Sequence, residues 1–208
     1  MISAVCVDNG EPTLERCVKS LRDQPVKVEV IIAAGPRTNM EIARSIADKV
    51  VGPIDFIGLA RLEGVKAASS DFIISCDSDS IYGDGYVQYA LEDLQRFNAV
   101  KAGTILPLDP SIDGYVESLF SRLIPYESGI GFRRQAFYDI LRVFPFTPIH
   151  RRADIGWHVL LLNPRIDPRM VLWTRMPTTG FRQLEVTLPR IIAIASAVGI
   201  PLGLVFRL

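Results

Sequence analysis

Residues 72–80 read FIISCDSDS, an apolar segment that runs directly into two aspartates separated by one serine. A short apolar run bounded by a turn signal is typical of a buried strand. Side chains at i and i+2 of an extended segment face the same way, so we expect Asp77 and Asp79 to converge at the end of this strand. Converging carboxylates repel, and a hard divalent cation such as Mg²⁺ or Mn²⁺, which prefers oxygen ligands, relieves that repulsion.

The same D-x-D pattern also occurs as an Asx-turn in which the aspartates only cap the following helix. The position of this motif at the end of an apolar strand, late in an alternating series of strands and helices, favours the metal-site interpretation. No glycine-rich phosphate loop of the G-x-x-x-x-G-K-[ST] or G-x-G-x-x-G type is present. We therefore expect metal and basic side chains to hold any phosphate groups.

Strand-like and helix-like segments alternate on both sides of the motif. Strands are predicted at 2–7, 28–33, 72–76 and 99–110. Helices are predicted after Pro12, after Asn39 as an N-cap, at 59–68 and after the turn at 82–86. This order predicts an α/β fold with a mixed, mostly parallel sheet flanked by helices. Ligands of such sheets bind beyond the carboxyl ends of the strands.

The chain is predicted to form one catalytic domain, 1–187, followed by an apolar segment, 188–208. Within the domain, 1–94 is interpreted as the nucleotide-binding half and 95–187 as the acceptor half. The run 191–206 is almost entirely apolar, but about 16 residues fall short of the roughly 20 that span a bilayer. A core or dimer-interface helix, a membrane-surface or re-entrant segment and a true span all remain open.

Charge and cysteine content narrow the function classes. Basic and acidic side chains number 23 each, so the net charge gives no indication of a nucleic-acid partner. The three cysteines form no C-x-x-C pair, which argues against a disulfide framework and a structural zinc site and predicts buried thiols in a reducing compartment. The amino terminus lacks a secretory signal pattern, so we expect a cytoplasmic protein, peripheral at the membrane if the apolar segment contacts lipid.

Taken in order, these segments resemble the family 2 glycosyltransferases of the GT-A fold, which use nucleotide-diphosphate sugars. The resemblance covers roughly residues 1–165 and is most specific in GLARLEGVKAASSDFIISCDSD, residues 58–79. ESGIGFRRQAFYDI, residues 127–140, is similar to the acceptor-side loop and helix of that family. RRADIGWHVLL, residues 151–161, is similar to the segment that carries its catalytic base.

The resemblance implies a role for each of five residues. Asp79 would coordinate a Mn²⁺ or Mg²⁺ ion that bridges the two donor phosphates, and Asp77 would contact the sugar or ribose and the metal. Asp154 would be the general base that deprotonates an acceptor hydroxyl in an inverting displacement, on a glycan, lipid-linked or protein acceptor. Asp8 and Arg61 would lie near the nucleotide.

The sequence departs from the family pattern at two places. Ala33 and Ala34 stand where an acidic pair normally helps to bind the nucleotide base, and Ala153 replaces the acid that normally precedes the base. Two alternatives stay open, the first because it shares a similar metal-using α/β unit and the second because of these departures. One is a sugar nucleotidyltransferase, and the other is a scaffold of the same fold that binds nucleotide-sugar without turnover.

Overall fold

The computed structural model describes residues 1–108, 129–145 and 155–175 of the chain. The strands in these residues are β1 (Ile2–Asp8), β2 (Val28–Ala34), β3 (Lys49–Val51), β4 (Phe72–Asp77), β5 (Ser80–Tyr82), β6 (Ala99–Pro107), β7 (Ile130–Arg133) and β8 (Arg165–Thr174). The helices are α1 (Leu14–Arg22), α2 (Met40–Ile46), α3 (Ile57–Ala67), α4 (Tyr86–Leu94), α5 (Arg134–Val143) and α6 (Gly156–Leu160).

These strands form a single mixed sheet in the order β3-β2-β1-β4-β7-β6-β8-β5. The four strands β3, β2, β1 and β4 are parallel, β7 runs antiparallel to both of its neighbours, and β6 is again parallel to β8. Parallel neighbours need crossover connections, and helices supply them in the first half of the chain. The predicted mixed α/β sheet flanked by helices is confirmed.

Helices cover both faces of the sheet because both faces are apolar. Residues of α1, α2 and α4 share one core cluster, which includes Cys6 and Ile74. Residues of α3, α5 and α6 share the other, which includes Val5 and Ile73. The alternation along β1 and β4 thus sends successive side chains to opposite cores.

Helix α1 shows how the sequence pattern produces this packing. Leu14, Cys17, Val18 and Leu21 recur at the helical period and are all buried. Helix α2 begins where Asn39 accepts hydrogen bonds from the backbone N–H groups of Glu41 and Ile42, at 3.1 and 3.2 Å. The predicted cap at Asn39 is therefore confirmed.

Four strands of the sheet differ from the sequence prediction. The short strands β3 and β5 and the long strand β8 were not predicted, and residues 130–133 form β7 where a loop was expected. Strand β8 contains Pro168 and a register shift opposite Ala102 and Thr104, so its buried positions do not alternate regularly. The period-2 pattern that identifies a strand is therefore missing from its sequence.

None of the helices within the described residues is both long and apolar enough to cross a membrane. The predicted apolar segment 188–208 lies outside the described residues, as does Asp154.

Candidate active site

The candidate site is built where β1 and β4 end side by side. The two strands are parallel neighbours, with Val7 opposite Asp77, so Asp8 and Asp77 finish at the same edge of the sheet. Asp77 is the last residue of β4, and Asp79 lies in the two-residue turn that connects β4 to β5. Asp79 is therefore brought near Asp77 by a turn, and not by the extended segment that the D-x-D pattern predicts.

Three hydrogen bonds to backbone groups hold this turn against β1 and the beginning of α1. The N–H of Ser78 donates to the carbonyl of Val7 at 3.0 Å, and the hydroxyl of Thr13 donates to the carbonyl of Ser78 at 2.8 Å. The buried thiol of Cys17 lies 3.4 Å from the carbonyl oxygen of Asp77 and donates to it. The peptide groups of the motif are thus held by β1, by the residue that precedes α1 and by the first turn of α1.

Asp77 forms an ion pair with Arg61 of α3. The guanidinium of Arg61 is fully buried, whereas the Asp77 side chain is 24% exposed. One nitrogen of Arg61 donates to Oδ1 of Asp77, and another donates to the carbonyl of Cys76 at 2.7 Å. The structure therefore brings together Arg61 and Asp77, two residues that the family resemblance places near the donor.

Asp79 lies in a more enclosed environment. Its Oδ1 accepts hydrogen bonds from the hydroxyls of Thr174, at 3.3 Å, and Ser80, at 3.4 Å. Burial, followed by the negative charges of Asp77 and Glu11, raises the pKa of Asp79 from 3.8 to about 7, although those two hydrogen bonds oppose the increase. The surroundings of this carboxylate therefore disfavour its ionised form.

The end of β8 contributes residues that the sequence argument missed. Ser80 pairs with Thr174 across the β5–β8 ladder, and their hydroxyls are 2.8 Å apart. The N–H of Arg175 donates to the carbonyl of Asp79 at 3.3 Å, and its guanidinium forms an ion pair with Glu11 at 3.1 Å. Both side chains of that pair are at least 36% exposed, so a cation and an anion border the site on its open side.

Asp8 uses its carboxylate to shape its own loop. Its two oxygens accept from the backbone N–H groups of Gly10, at 3.0 Å, and Glu11, at 3.1 Å. The residue is almost completely buried, and its carbonyl accepts from the hydroxyl of Thr38 at 2.8 Å. In this structure Asp8 connects the loops that follow β1 and β2.

The loop after β2 packs closely against the end of β1. Ala33 and Ala34 are fully buried, and their methyl groups provide no polar atom where the resembling family carries an acidic pair. The N–H of Gly35 donates to the carbonyl of Asp8 at 2.6 Å. A Cβ at position 35 would lie 2.6 Å from Oδ1 of Asn9, so this close approach requires glycine.

The segment that was predicted to carry the catalytic base is described in part. Asp154 lies outside the described residues, and the chain is described again from Ile155. Ile155 is buried in the same core cluster as Val7, on the face of the sheet that α3 covers. His158 of α6 is also fully buried, and its Nε2 lies 3.1 Å from the carbonyl of Phe144.

The site offers oxygen donors for a hard cation. Asp77 ends β4 and Asp79 lies in the turn that follows, and the negative charge of Glu11 contributes to the raised pKa of Asp79. Such donors suit Mg²⁺ or Mn²⁺. No cluster of three or more histidine, cysteine or acidic residues with metal-ligand geometry occurs among the residues that the structure describes. Within the described residues, Asp77 and Asp79 are thus the two carboxylates at this turn that could contact such a cation.

Comparison with protein families identifies a match over most of the chain. A family model described as "Glycosyl transferase family 2" matches residues 4–153. Among curated proteins, no sequence matches significantly.

Several solved structures share the fold at low sequence identity. S. aureus TarS 1-349 in complex with UDP-GlcNAc has a TM-score of 0.65 at 11% identity, covering 95% of this chain and 66% of that one. Glucosyl-3-phosphoglycerate synthase from Mycobacterium tuberculosis, in complex with Mn²⁺ and UDP-Glc, has a TM-score of 0.62 at 18% identity, covering 96% and 79%. The mannosyltransferase PcManGT from Pyrobaculum calidifontis, in complex with GDP-Man and Mn²⁺, has a TM-score of 0.60 at 15% identity, covering 91% and 60%.

This chain is shorter than the TarS chains that it matches, spanning 39% of a longer TarS chain and 66% of TarS 1-349. At these identities the likeness shows the fold. It confirms the expected GT-A arrangement for the described part of the chain.

Proposed function

Because this chain belongs to glycosyl transferase family 2, we propose that it transfers a sugar from a nucleotide-diphosphate donor to an acceptor hydroxyl group. The observation that carries the proposal is the D-x-D turn at the carboxyl edge of the sheet. Asp77 and Asp79 are held there by contacts from β1, α1, α3 and β8. Their number and placement suit a diphosphate with a divalent cation.

The structural neighbours support a nucleotide-sugar as the donor. TarS has been crystallised with UDP-GlcNAc, the synthase with UDP-Glc and the mannosyltransferase with GDP-Man. Those ligands belong to those proteins. For this chain they define the first donors to test, since both UDP and GDP sugars are represented.

The residues at the turn fit a divalent metal. Asp79, with Asp77, would hold it through carboxylate oxygens, and the raised pKa of Asp79 is what a carboxylate shows when burial and neighbouring negative charges disfavour ionisation. When bound, Mn²⁺ or Mg²⁺ supplies Lewis-acid stabilisation of the diphosphate leaving group.

The chain itself supplies the remaining electrostatics. The leaving diphosphate gains negative charge as the sugar bond breaks, so a fixed positive charge near it lowers the barrier. Arg175 is half exposed beside Asp79, paired with Glu11, and is placed to exchange that partner for a phosphate oxygen. The quarter-exposed Asp77 has an oxygen to accept a hydrogen bond from a donor hydroxyl.

Asp154 is proposed as the general base, and an inverting displacement follows from the family resemblance. A base must lie within hydrogen-bond reach of the acceptor hydroxyl, so its loss should affect the chemical step more than donor binding. Asp154→Asn is expected to lower kcat by at least about 100-fold with donor affinity preserved within about threefold. Product anomeric configuration, read by NMR, tests inversion separately.

The deciding experiment measures which nucleotide product is released. UDP-Glc, UDP-GlcNAc and GDP-Man would each be incubated with the protein, Mn²⁺ and a panel of glycan, lipid-linked and protein acceptors. Release of a nucleoside diphosphate with a glycosylated acceptor supports the proposal. Pyrophosphate release would indicate the nucleotidyltransferase, and donor binding without product from any acceptor would favour the non-catalytic scaffold.

A further inference from the structure

Arg61 holds two consecutive residues of the D-x-D strand at once. Its guanidinium donates to the carbonyl of Cys76 at 2.7 Å and to the carboxylate of Asp77. It is the largest of the fully buried side chains among the described residues, with no exposed area. Helix α3 presents it to the sheet because Gly64, one turn later, allows the helix backbone to approach Val5 closely.

A buried arginine carries a large desolvation cost. The guanidinium is always charged, so it remains in a core only where anionic and carbonyl partners compensate it. Two of its partners belong to the motif itself, the carbonyl of Cys76 and the carboxylate of Asp77. Since a side chain with no exposed area presents no N–H group to a ligand in the cleft, any effect of Arg61 on a donor passes through the residues that it holds.

We propose that Arg61 is a positioning residue for the donor site, acting through Asp77 and without touching the donor. Its planar fork fixes the orientation of the Asp77 carboxylate through Oδ1, in a side chain that keeps 24% of its area exposed. It also neutralises one of two adjacent carboxylates, so the pair can accept a single divalent cation with less repulsion. This inference rests on the proposed function and replaces the sequence expectation that Arg61 borders the nucleotide directly.

The chain offers a control in Arg134, whose side chain is 24% exposed. Its guanidinium also joins a backbone carbonyl, that of Ala68, to an aspartate, Asp71, on the same face of the sheet. Asp71 immediately precedes β4, whereas Asp77 ends it, so Arg134 makes the same kind of contact at the opposite end of the strand. Arg134→Met therefore measures how much nucleotide affinity changes when an arginine with similar contacts is removed at a distance from the site.

The experiment titrates UDP, or GDP if the wild type prefers it, into each variant in the presence of Mn²⁺. The variants are Arg61→Met, Arg61→Lys, Arg134→Met, Asp77→Asn and the double variant Arg61→Met/Asp77→Asn. We expect Arg61→Met to weaken metal-dependent binding at least about tenfold and Arg134→Met less than about twofold. Arg61→Lys should recover part of the loss, because an ammonium keeps the charge but cannot span both partners.

The double variant distinguishes positioning from direct contact. If Arg61 acts through Asp77, adding Arg61→Met to Asp77→Asn should weaken binding by less than about threefold further. If the losses of affinity in the two single variants multiply in the double variant, Arg61 acts independently of Asp77, and the inference is overturned. Thermal unfolding of each variant identifies those that fold, and if Arg61→Met does not, Arg61→Lys carries the comparison.

Two other results are decisive. Wild-type affinity in folded Arg61→Met or Arg61→Lys would overturn this inference and leave the proposed function intact. Failure of the wild-type protein itself to bind UDP or GDP with Mn²⁺ would overturn the proposed function, and the inference with it.

Discussion

Thr174 connects Asp79 to the far edge of the sheet. Its hydroxyl donates to Oδ1 of Asp79 at 3.3 Å and lies 2.8 Å from that of Ser80, inside a site where Asp79 is otherwise poorly stabilised. Thr174→Val removes that donor with little change in volume. We expect metal-dependent UDP affinity to fall about fivefold, corresponding to roughly 1 kcal/mol for one hydrogen bond to a carboxylate.

The control for this prediction is Thr104→Val. Thr104 lies on the neighbouring strand β6 and donates to the carbonyl of Pro168 at 3.2 Å, in an exposed contact. Calorimetric titration of UDP with Mn²⁺ should show unchanged affinity for this variant. If Thr174→Val and the wild type bind UDP with equal affinity, Thr174 does not contribute to nucleotide binding.

At the residue scale, the sequence predicted what lies close along the chain. Asp77 and Asp79 were identified because a buried strand leads directly into them. Thr174 and Arg175 were not, because only the β5–β8 ladder brings them beside residues about 95 positions earlier, and β8 carries no regular alternation. The burial of Arg61 was not predicted either, because an arginine in a helix usually lies on the solvent-exposed face.

Helix α3 is the element whose fit decides the position of Arg61. A Cβ at Gly64 would collide with Cγ1 of Val5, so Gly64→Ala must push the helix away from β1. We expect the free energy of unfolding to fall by about 1–3 kcal/mol, as for other overpacked sites, and UDP affinity to fall as well because Arg61 moves with the helix. Urea unfolding followed by titration with UDP and Mn²⁺ checks both.

Glu63→Ala provides the comparison on the same helix. Glu63 makes a surface ion pair with Lys66, and such pairs contribute little. The unfolding free energy of Glu63→Ala should stay within about 0.5 kcal/mol of that of the wild type. If Gly64→Ala behaved in the same way, the close helix–strand contact would have no energetic importance.

At the element scale, helices with a clear apolar period and a cap were predictable, as α1 and the Asn39 cap of α2 show. Strands β3 and β5 were not, because three residues are too few for a periodic pattern. Strand β7 was hidden by glycines in residues 127–140 that suggested a loop. Its pairing with β4 and β6 is a long-range property that no local pattern contains.

Across the whole molecule, the opposite end of the sheet from the D-x-D carries a stabilising network around Glu29. Burial raises the pKa of Glu29, but hydrogen bonds from Ser3, Ser69 and Lys49 outweigh it and lower the pKa from 4.5 to about 2. Because the folded-state pKa is the lower one, this group stabilises the fold above about pH 4.5 and loses that contribution as the pH falls toward 2.

Glu29→Gln should therefore cost roughly 2–3 kcal/mol of unfolding free energy at pH 7, and the difference from wild type should vanish near pH 2. Urea unfolding at several pH values measures this. Glu63→Gln, on the surface, should show little difference at any pH. A Glu29→Gln cost that did not change with pH would contradict the assignment of a lowered pKa.

The central claim is that the D-x-D turn is a metal-linked nucleotide site, and calorimetric titration of UDP and GDP tests it most directly. Wild type and Asp79→Asn would be compared with and without Mn²⁺. We predict that one of the nucleotides binds the wild type only with Mn²⁺, and that Asp79→Asn lowers that affinity at least about tenfold. Metal-independent binding, or equal affinity in Asp79→Asn, would contradict the claim.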